Sequence, residues 1–271
     1  LGPEQAAEVA ALGYDAALVG TSLMRADDPE SATRDMLAAG RSAGVSHDSV
    51  WIKICGVNTA ESVLAVGEAG ADAAGFVFAE SPRRVSPEQA TELAALLPPD
   101  VDRVAVFHHP SADDVAAVLS VFPADIVQCE PTDELRRTAA AAGARLLPVL
   151  HDGPELETLA GEARNTADGP AAILEAAGKG GQGHLPDWER AARLARRMPL
   201  VLAGGLGPGN VADAIHEVCP FGVDVSSGVE ETRGRKDPVR IAAFVQAART
   251  AAEATRKSRP NHETEPGMNG A

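Results

Sequence analysis

Aromatic residues are scarce: Phe, Trp and Tyr together make up 3% of the 271 residues, so any packed interior must rest on Ala, Val, Leu and Ile. Cysteine is scarcer still. The three present, Cys55, Cys129 and Cys219, are too few and too scattered for a disulfide framework and lack zinc-ligand spacing, so no metal is expected. Basic residues are outnumbered, 24 against 39 acidic ones, for a formal net charge of −15. That balance argues against a nucleic-acid backbone or an anionic membrane as the main partner. It also opposes an anionic small molecule, so any phosphate must be held by local amides and a few placed cations. No apolar run approaches a membrane span and no secretory signal is recognisable, which makes a reducing, cytoplasmic setting the expectation.

What is present is globular: 45% hydrophobic and 23% charged residues give ample material for a core. From residue 50 onward the chain alternates short apolar or β-branched runs with Ala/Leu-rich stretches of helical period. The runs are 50–55, 73–78, 103–107, 126–128, 145–149, 171–174, 200–203 and 222–225, which makes eight strands. Helices are predicted over 60–69, 87–97, 112–121, 133–142, 154–164, 187–197, 209–218 and 238–256. Such alternation implies right-handed βαβ units and a parallel sheet. An open dinucleotide-binding sheet would carry G-x-G-x-x-G after its first strand; here that strand ends Cys55-Gly56-Val57-Asn58. The fold expected for 50–255 is therefore an α/β (β/α)8 TIM barrel. Residues 1–41 read as one extra N-terminal βα unit (strand 16–19, short helix 29–38), 42–49 as a linker and 256–271 as a polar, disordered tail.

In such a barrel the chemistry lies at the carboxyl ends of the strands. Read there, the first strand offers Cys55, the second leads to Ser81-Pro82-Arg83, and the sixth ends at Glu175. The seventh ends in Gly204-Gly205 and the eighth in Asp224-Val225-Ser226-Ser227-Gly228. The two Gly-rich turns leave backbone N–H groups to face an oxyanion, so Gly204, Gly205, Ser227 and Gly228 are the expected phosphate site. Strand period puts Lys53 and Cys55 on the inner face, with Ile52 and Ile54 toward the helices. Lys53 would favour the Cys55 thiolate and needs a carboxylate partner of its own, either Asp224 or Glu175. Arg83, stiffened by Pro82, suits bidentate capture of a carboxylate. A thiol, an acid, a cation and phosphate turns on one rim form an acid–base site for a phosphorylated small molecule.

These segments resemble the phosphoribosylanthranilate isomerase family of tryptophan biosynthesis. The resemblance is carried by Lys53-Ile54-Cys55-Gly56-Val57, Gly75-Phe76-Val77-Phe78 with Ser81-Pro82-Arg83, Val127-Gln128, and Gly180-Gly181-Gln182-Gly183 leading to Asp187-Trp188. It continues through Ala203-Gly204-Gly205-Leu206 and Asp224-Val225-Ser226-Ser227-Gly228-Val229-Glu230, with Lys236-Asp237 beyond. The resemblance implies a cofactor-free Amadori rearrangement of a phosphosugar. A general acid opens the furanose ring by protonating its oxygen, a general base removes the C2 proton, and the enolamine tautomerises to a ketone. It assigns Cys55 as base, the end of the sixth strand as acid, Arg83 to the anthranilate carboxylate and Asp224 to organising the site.

Three positions depart from the family pattern. The acid is Glu175 where the family has aspartate; the family's Gln-Leu-His-Gly reads Gln128-Cys129-Glu130-Pro131, without its histidine; and His184 follows the Gly-x-Gly loop. The rival enzyme reading is the histidine-pathway aminoaldose isomerase or a dual-substrate enzyme, but those use an aspartate where this chain has Cys55. A non-catalytic phosphosugar-binding barrel is the other alternative. Residues 12–25 resemble the last strand and phosphate loop of indole-3-glycerol-phosphate synthase. A single βα unit implies no synthase activity, only a remnant or the end of a truncated domain, and suggests such a synthase as a partner.

Overall fold

The computed structural model describes residues 50–153, 156, 169–176 and 185–258, with a few isolated positions between 23 and 36. Eight strands close into one barrel in chain order: β1 (Trp51–Cys55), β2 (Ala73–Val77), β3 (Asp102–Val106), β4 (Ile126–Cys129), β5 (Arg145–His151), β6 (Ala172–Glu175), β7 (Leu200–Leu202) and β8 (Gly222–Val225). All neighbours are parallel, and β8 returns to β1 with Lys53 opposite Asp224. The expected eight-stranded barrel is the observed fold. Between and after the strands run α1 (Ala60–Ala69), α2 (Pro87–Ala94), α3 (Ala112–Leu119), α4 (Asp133–Ala141), α5 (Trp188–Ala195), α6 (Val211–Val218) and α7 (Pro238–Ser258).

The helix starts are written locally. Thr59 with Ser62, Ser86 with Gln89 and Ser111 with Asp114 form reciprocal capping boxes on α1, α2 and α3, each satisfying two otherwise orphaned N–H groups. Thr132 and Asp187 cap α4 and α5. Losing such a cap typically costs about 1 kcal/mol. Gly70 ends α1 in the left-handed region at φ 73°, where glycine pays no Cβ penalty.

Strand alternation sorts the core into two layers. Ala73, Val104, Ile126, Leu147, Val149, Ile173, Val201 and Ala203 fill the barrel interior. Ile52, Ile54, Ala74, Phe76, Val127 and Leu174 belong to the larger layer between strands and helices. Most of the described aromatics are pooled there, and the Phe76 and Phe78 rings lie 5.2 and 5.6 Å from that of Phe122. Arg249 on α7 donates to Asp72 Oδ2 at 2.8 Å and to the Gly70 and Val50 carbonyls, pinning the last helix to the barrel's amino end.

Differences from the expected organisation are local. β5 continues through Leu150 to His151, placing a histidine on the rim. After β8 the chain forms an unexpected antiparallel pair, β9 (Glu230–Thr232) with β10 (Arg235–Lys236). α7 runs to Ser258, into the segment expected as tail. Positions 29, 32, 33 and 36 are helical, as the short helix 29–38 requires. The strand 16–19, the linker 42–49, most of helix 154–164, the loop containing His184, and residues 259–271 lie outside the described residues. Among the described residues no helix is long and apolar enough to cross a membrane.

Candidate active site

The first strand ends inside the barrel mouth. Lys53 is fully buried, and its Nζ donates to Asp224 Oδ1 at 2.6 Å, which selects Asp224 over Glu175 as its partner. Burial alone would lower the lysine's pKa, but attraction to Asp224 and Cys55 raises it above its ordinary value, so Lys53 is a fixed cation. Cys55 lies beside it, buried. Gly75 makes the room: a Cβ there would stand 3.2 Å from both Cys55 Sγ and Lys53 Cε.

Lys53 favours the Cys55 thiolate, as expected, but is outweighed. Burial pushes the Cys55 thiol above its ordinary value, and Asp224 and Glu175 push the same way, outweighing the opposing pull of Lys53 and Lys236. A neighbouring cation is insufficient when desolvation and two carboxylates act against it. Cys55 ends β1 and Glu175 ends β6 of the same closed parallel barrel, so the thiol and the sixth-strand carboxyl share one mouth.

Glu175, the last residue of β6, is paired in register with His151 of β5. Burial raises its carboxyl pKa, as does Asp224; His151 and Lys53 oppose. A carboxylic acid held up this way keeps its proton to higher pH and suits a proton donor. Glu130, at the position where the family histidine was expected, is itself surrounded by histidines: His108 Nδ1 lies 2.9 Å from Oε1 and His151 Nε2 3.6 Å. Despite burial, hydrogen bonds from His151, from the His109 backbone and from His108 hold Glu130 well below the usual carboxylate range. His151 in turn is raised, first by its hydrogen bond to Glu130. The rim thus does carry an imidazole near Glu175, supplied by β5 instead of β4.

Arg83 reaches the site from the loop after β2, across Gly56, where φ is 78° and a Cβ would meet Arg83 Cδ at 2.5 Å. Its bidentate edge is already occupied: Nε and Nη2 donate to the two Glu230 oxygens at 2.6 and 3.0 Å. Glu230 also accepts from Lys236 Nζ at 2.9 Å and the Gly234 N–H at 3.1 Å. Although burial works against the charged form, these partners lower its pKa to about 2. Lys236 is buried and donates also to the Ser226 carbonyl at 3.0 Å, tying the β9–β10 pair to the turn after β8. Glu230 and Lys236 were part of the matching pattern but had no role assigned. Their importance lies in contacts across 147 residues that no local pattern displays.

The two glycine turns meet. Gly204 and Gly205 have φ of 89° and 62°, conformations that L side chains rarely adopt. Asn210 fixes the turn by accepting from the Gly207 N–H at 2.8 Å and donating to the Gly205 carbonyl at 3.0 Å. A Cβ on Gly228 would lie 1.9 Å from the Leu206 carbonyl oxygen, so that glycine is needed first for the turns to touch. Among the described residues no acceptor takes the Gly205 or Gly228 N–H, and both remain available to an anion.

A closed (β/α)8 barrel with a thiol and a raised carboxyl in its mouth, bordered by abutting glycine turns after β7 and β8, defines the phosphosugar-isomerase class of barrel. The model of the N-(5'-phosphoribosyl)anthranilate isomerase family matches residues 52–247, and the chain belongs to that family. It is 40% identical over 205 residues to the N-(5'-phosphoribosyl)anthranilate isomerase of Listeria welshimeri, covering 73% of this chain and 98% of the relative. The structure of phosphoribosyl anthranilate isomerase from Thermotoga maritima aligns with a TM-score of 0.66 at 34% identity, over 74% of this chain and 99% of that one. A phosphoribosyl anthranilate isomerase structure in complex with reduced 1-(o-carboxyphenylamino)-1-deoxyribulose 5-phosphate aligns at 0.64 and 35%, with the same coverages. The residues matched by the family model begin at 52, after the N-terminal unit.

Proposed function

We propose that this chain isomerises N-(5'-phosphoribosyl)anthranilate to 1-(o-carboxyphenylamino)-1-deoxyribulose 5-phosphate in tryptophan biosynthesis, with Glu175 as general acid and Cys55 as general base. The observation that carries the reading is the meeting of Cys55, the Lys53–Asp224 pair and Glu175 in one mouth. Glu175 gives its proton to the furanose ring oxygen as the C1–O bond breaks, leaving an iminium at C1. The Cys55 thiolate takes the proton from C2, and the electron pair closes to an enolamine. Tautomerisation, with a proton returned to C1, gives the ketone.

The raised Glu175 supports the first step, because a carboxyl held above its ordinary value by burial keeps its proton to higher pH and is the better donor. The raised Cys55 means that the thiolate is a minor species; once formed it is a strong base beside a fixed lysine. Gly204, Gly205, Ser227 and Gly228 receive the phosphate through backbone amides, which answers the difficulty of binding an anion with a net charge of −15. Arg83, with Nε and Nη2 held by Glu230, offers Nη1 to the anthranilate carboxylate, one contact where bidentate capture was expected. No cofactor enters these steps. A cytoplasmic setting that keeps the three free cysteines reduced belongs to the same reading, as does association with an indole-3-glycerol-phosphate synthase.

The test is turnover by the purified chain of N-(5'-phosphoribosyl)anthranilate, followed by loss of its fluorescence, beside the aminoaldose intermediate of histidine biosynthesis. Turnover of the anthranilate alone is expected. Turnover of only the histidine intermediate, or of neither, would overturn the assignment.

A further inference from the structure

Three of the chain's seven histidines converge on one carboxylate at the rim of β3, β4 and β5, a cluster that the proposed acid–base chemistry does not use in full. His108 and His109 follow β3; Glu130 follows β4. One ligand atom from each of these three lies within 4.8 Å of the others. We propose that His108, His109 and Glu130 form a binding site for one divalent transition-metal cation of the zinc class. The proposal does not rest on the isomerase reading.

The spacing fits a single ion. Ligands of a tetrahedral zinc, at about 2.0–2.1 Å from the metal, are roughly 3.3 Å from one another. His108 Nδ1 is 2.9 Å from Glu130 Oε1 and His109 Nδ1 is 3.6 Å from Oε2, values on either side of that spacing. The two histidine side chains are exposed and can turn to close the remaining ligand spacing, which lies within 4.8 Å, around one ion. Two histidines and one glutamate are a donor set that suits zinc and leaves a fourth position for water. That position has somewhere to open: the His108 and His109 side chains are 52% and 68% exposed, while Glu130 is 17% exposed.

The surroundings hold the carboxylate in place. The His109 N–H donates to Glu130 Oε2 at 2.7 Å, and His151 Nε2 stands 3.6 Å from Oε1, the kind of outer partners that orient a ligating carboxylate. A plain surface ion pair accounts for one imidazole but not for two. The His108 and His109 rings have centroids 4.4 Å apart, so a protonated pair repels. With a cation between the rings and Glu130, each neutral imidazole would give the ion its Nδ1 lone pair in place of a hydrogen bond to the carboxylate. Sequence spacing did not suggest the site because its ligands come from two loops, with His109 and Glu130 21 positions apart.

The test uses the full chain stripped with a chelator and titrated with Zn2+ by calorimetry, alongside the double variant His108→Ala/His109→Ala and Glu130→Gln. Wild-type protein should bind about one ion per chain, and each variant should bind at least about tenfold more weakly. Saturating Zn2+ should raise the wild-type Tm by about 5 °C and leave that of the double variant unmoved. The double variant carries the test if Glu130→Gln proves unstable, because both histidine side chains are exposed. Absence of saturable binding by the wild type, or undiminished binding by the double variant, would overturn the proposal.

Discussion

Gly228→Ala should disable the phosphate turns while leaving the barrel folded. A Cβ at this position would stand 1.9 Å from the Leu206 carbonyl oxygen and 2.9 Å from Gly207 Cα, and both are backbone atoms that cannot rotate away. Contacts under 3.0 Å force something to shift, so the two turns must part by about an ångström. Misplacement on that scale costs roughly 10²-fold in rate, or about 2.7 kcal/mol of transition-state stabilisation. The assay is steady-state turnover of N-(5'-phosphoribosyl)anthranilate, with inorganic phosphate as a competitive inhibitor. The expected result is a fall of about 10²-fold in kcat/KM, a weaker phosphate Ki and an unchanged far-UV circular dichroism spectrum. Gly207→Ala is the matched control, because its Cβ would meet nothing closer than Gly228 Cα at 3.6 Å, an ordinary contact. Normal phosphate inhibition in Gly228→Ala, or equal damage in Gly207→Ala, would refute the reasoning.

Lys53→Met leaves the Asp224 carboxylate buried without its cation and should cost about 3–5 kcal/mol in urea unfolding, part of which Lys53→Met/Asp224→Asn recovers. No loss in the single variant would mean that the pair is not a structural unit. In the pH profile of kcat/KM, activity needs a proton on Glu175 and none on Cys55. With the acid titrating below the base, thiolate is gained as fast as acid is lost, so a plateau is expected. Its acidic limb should lie above the ordinary glutamate value of 4.5 and its alkaline limb above the ordinary thiol value of 9.0. An alkaline limb at neutral pH would contradict the account of Cys55. Glu230→Gln removes the anion that aligns Arg83 and Lys236 and should lower kcat/KM about tenfold, mostly through KM; a change confined to kcat would mean that Arg83 does not bind the substrate.

The barrel was legible because its signals are local. β8 runs over the residues read from the sequence, 222–225, and α1 over 60–69, since an apolar run or a capping box is written in adjacent positions. The inward turn of Lys53 and Cys55 was legible too, because period two leaves Ile52 and Ile54 for the helices. What escaped depends on closure of the barrel. Glu230 gains its meaning from Arg83 and Lys236, and the β9–β10 pair that delivers Lys236 is too short to show a period. β5 was read as ending at 149, but pairing with β6 extends it and carries His151 opposite Glu175. The pull of Lys53 on the Cys55 thiol is visible from a strand's alternation, whereas the burial and carboxylates that outweigh it are not.

The central claim is that Cys55 and Glu175 move the protons of one isomerisation. The most direct measurement is kcat on N-(5'-phosphoribosyl)anthranilate for Cys55→Ser and Glu175→Gln, each with folding checked by circular dichroism. Loss of a positioned acid or base should lower kcat by about 10²–10⁴-fold in each, with KM little changed. Wild-type kcat in either variant would contradict the account, and place that step of proton transfer on another group.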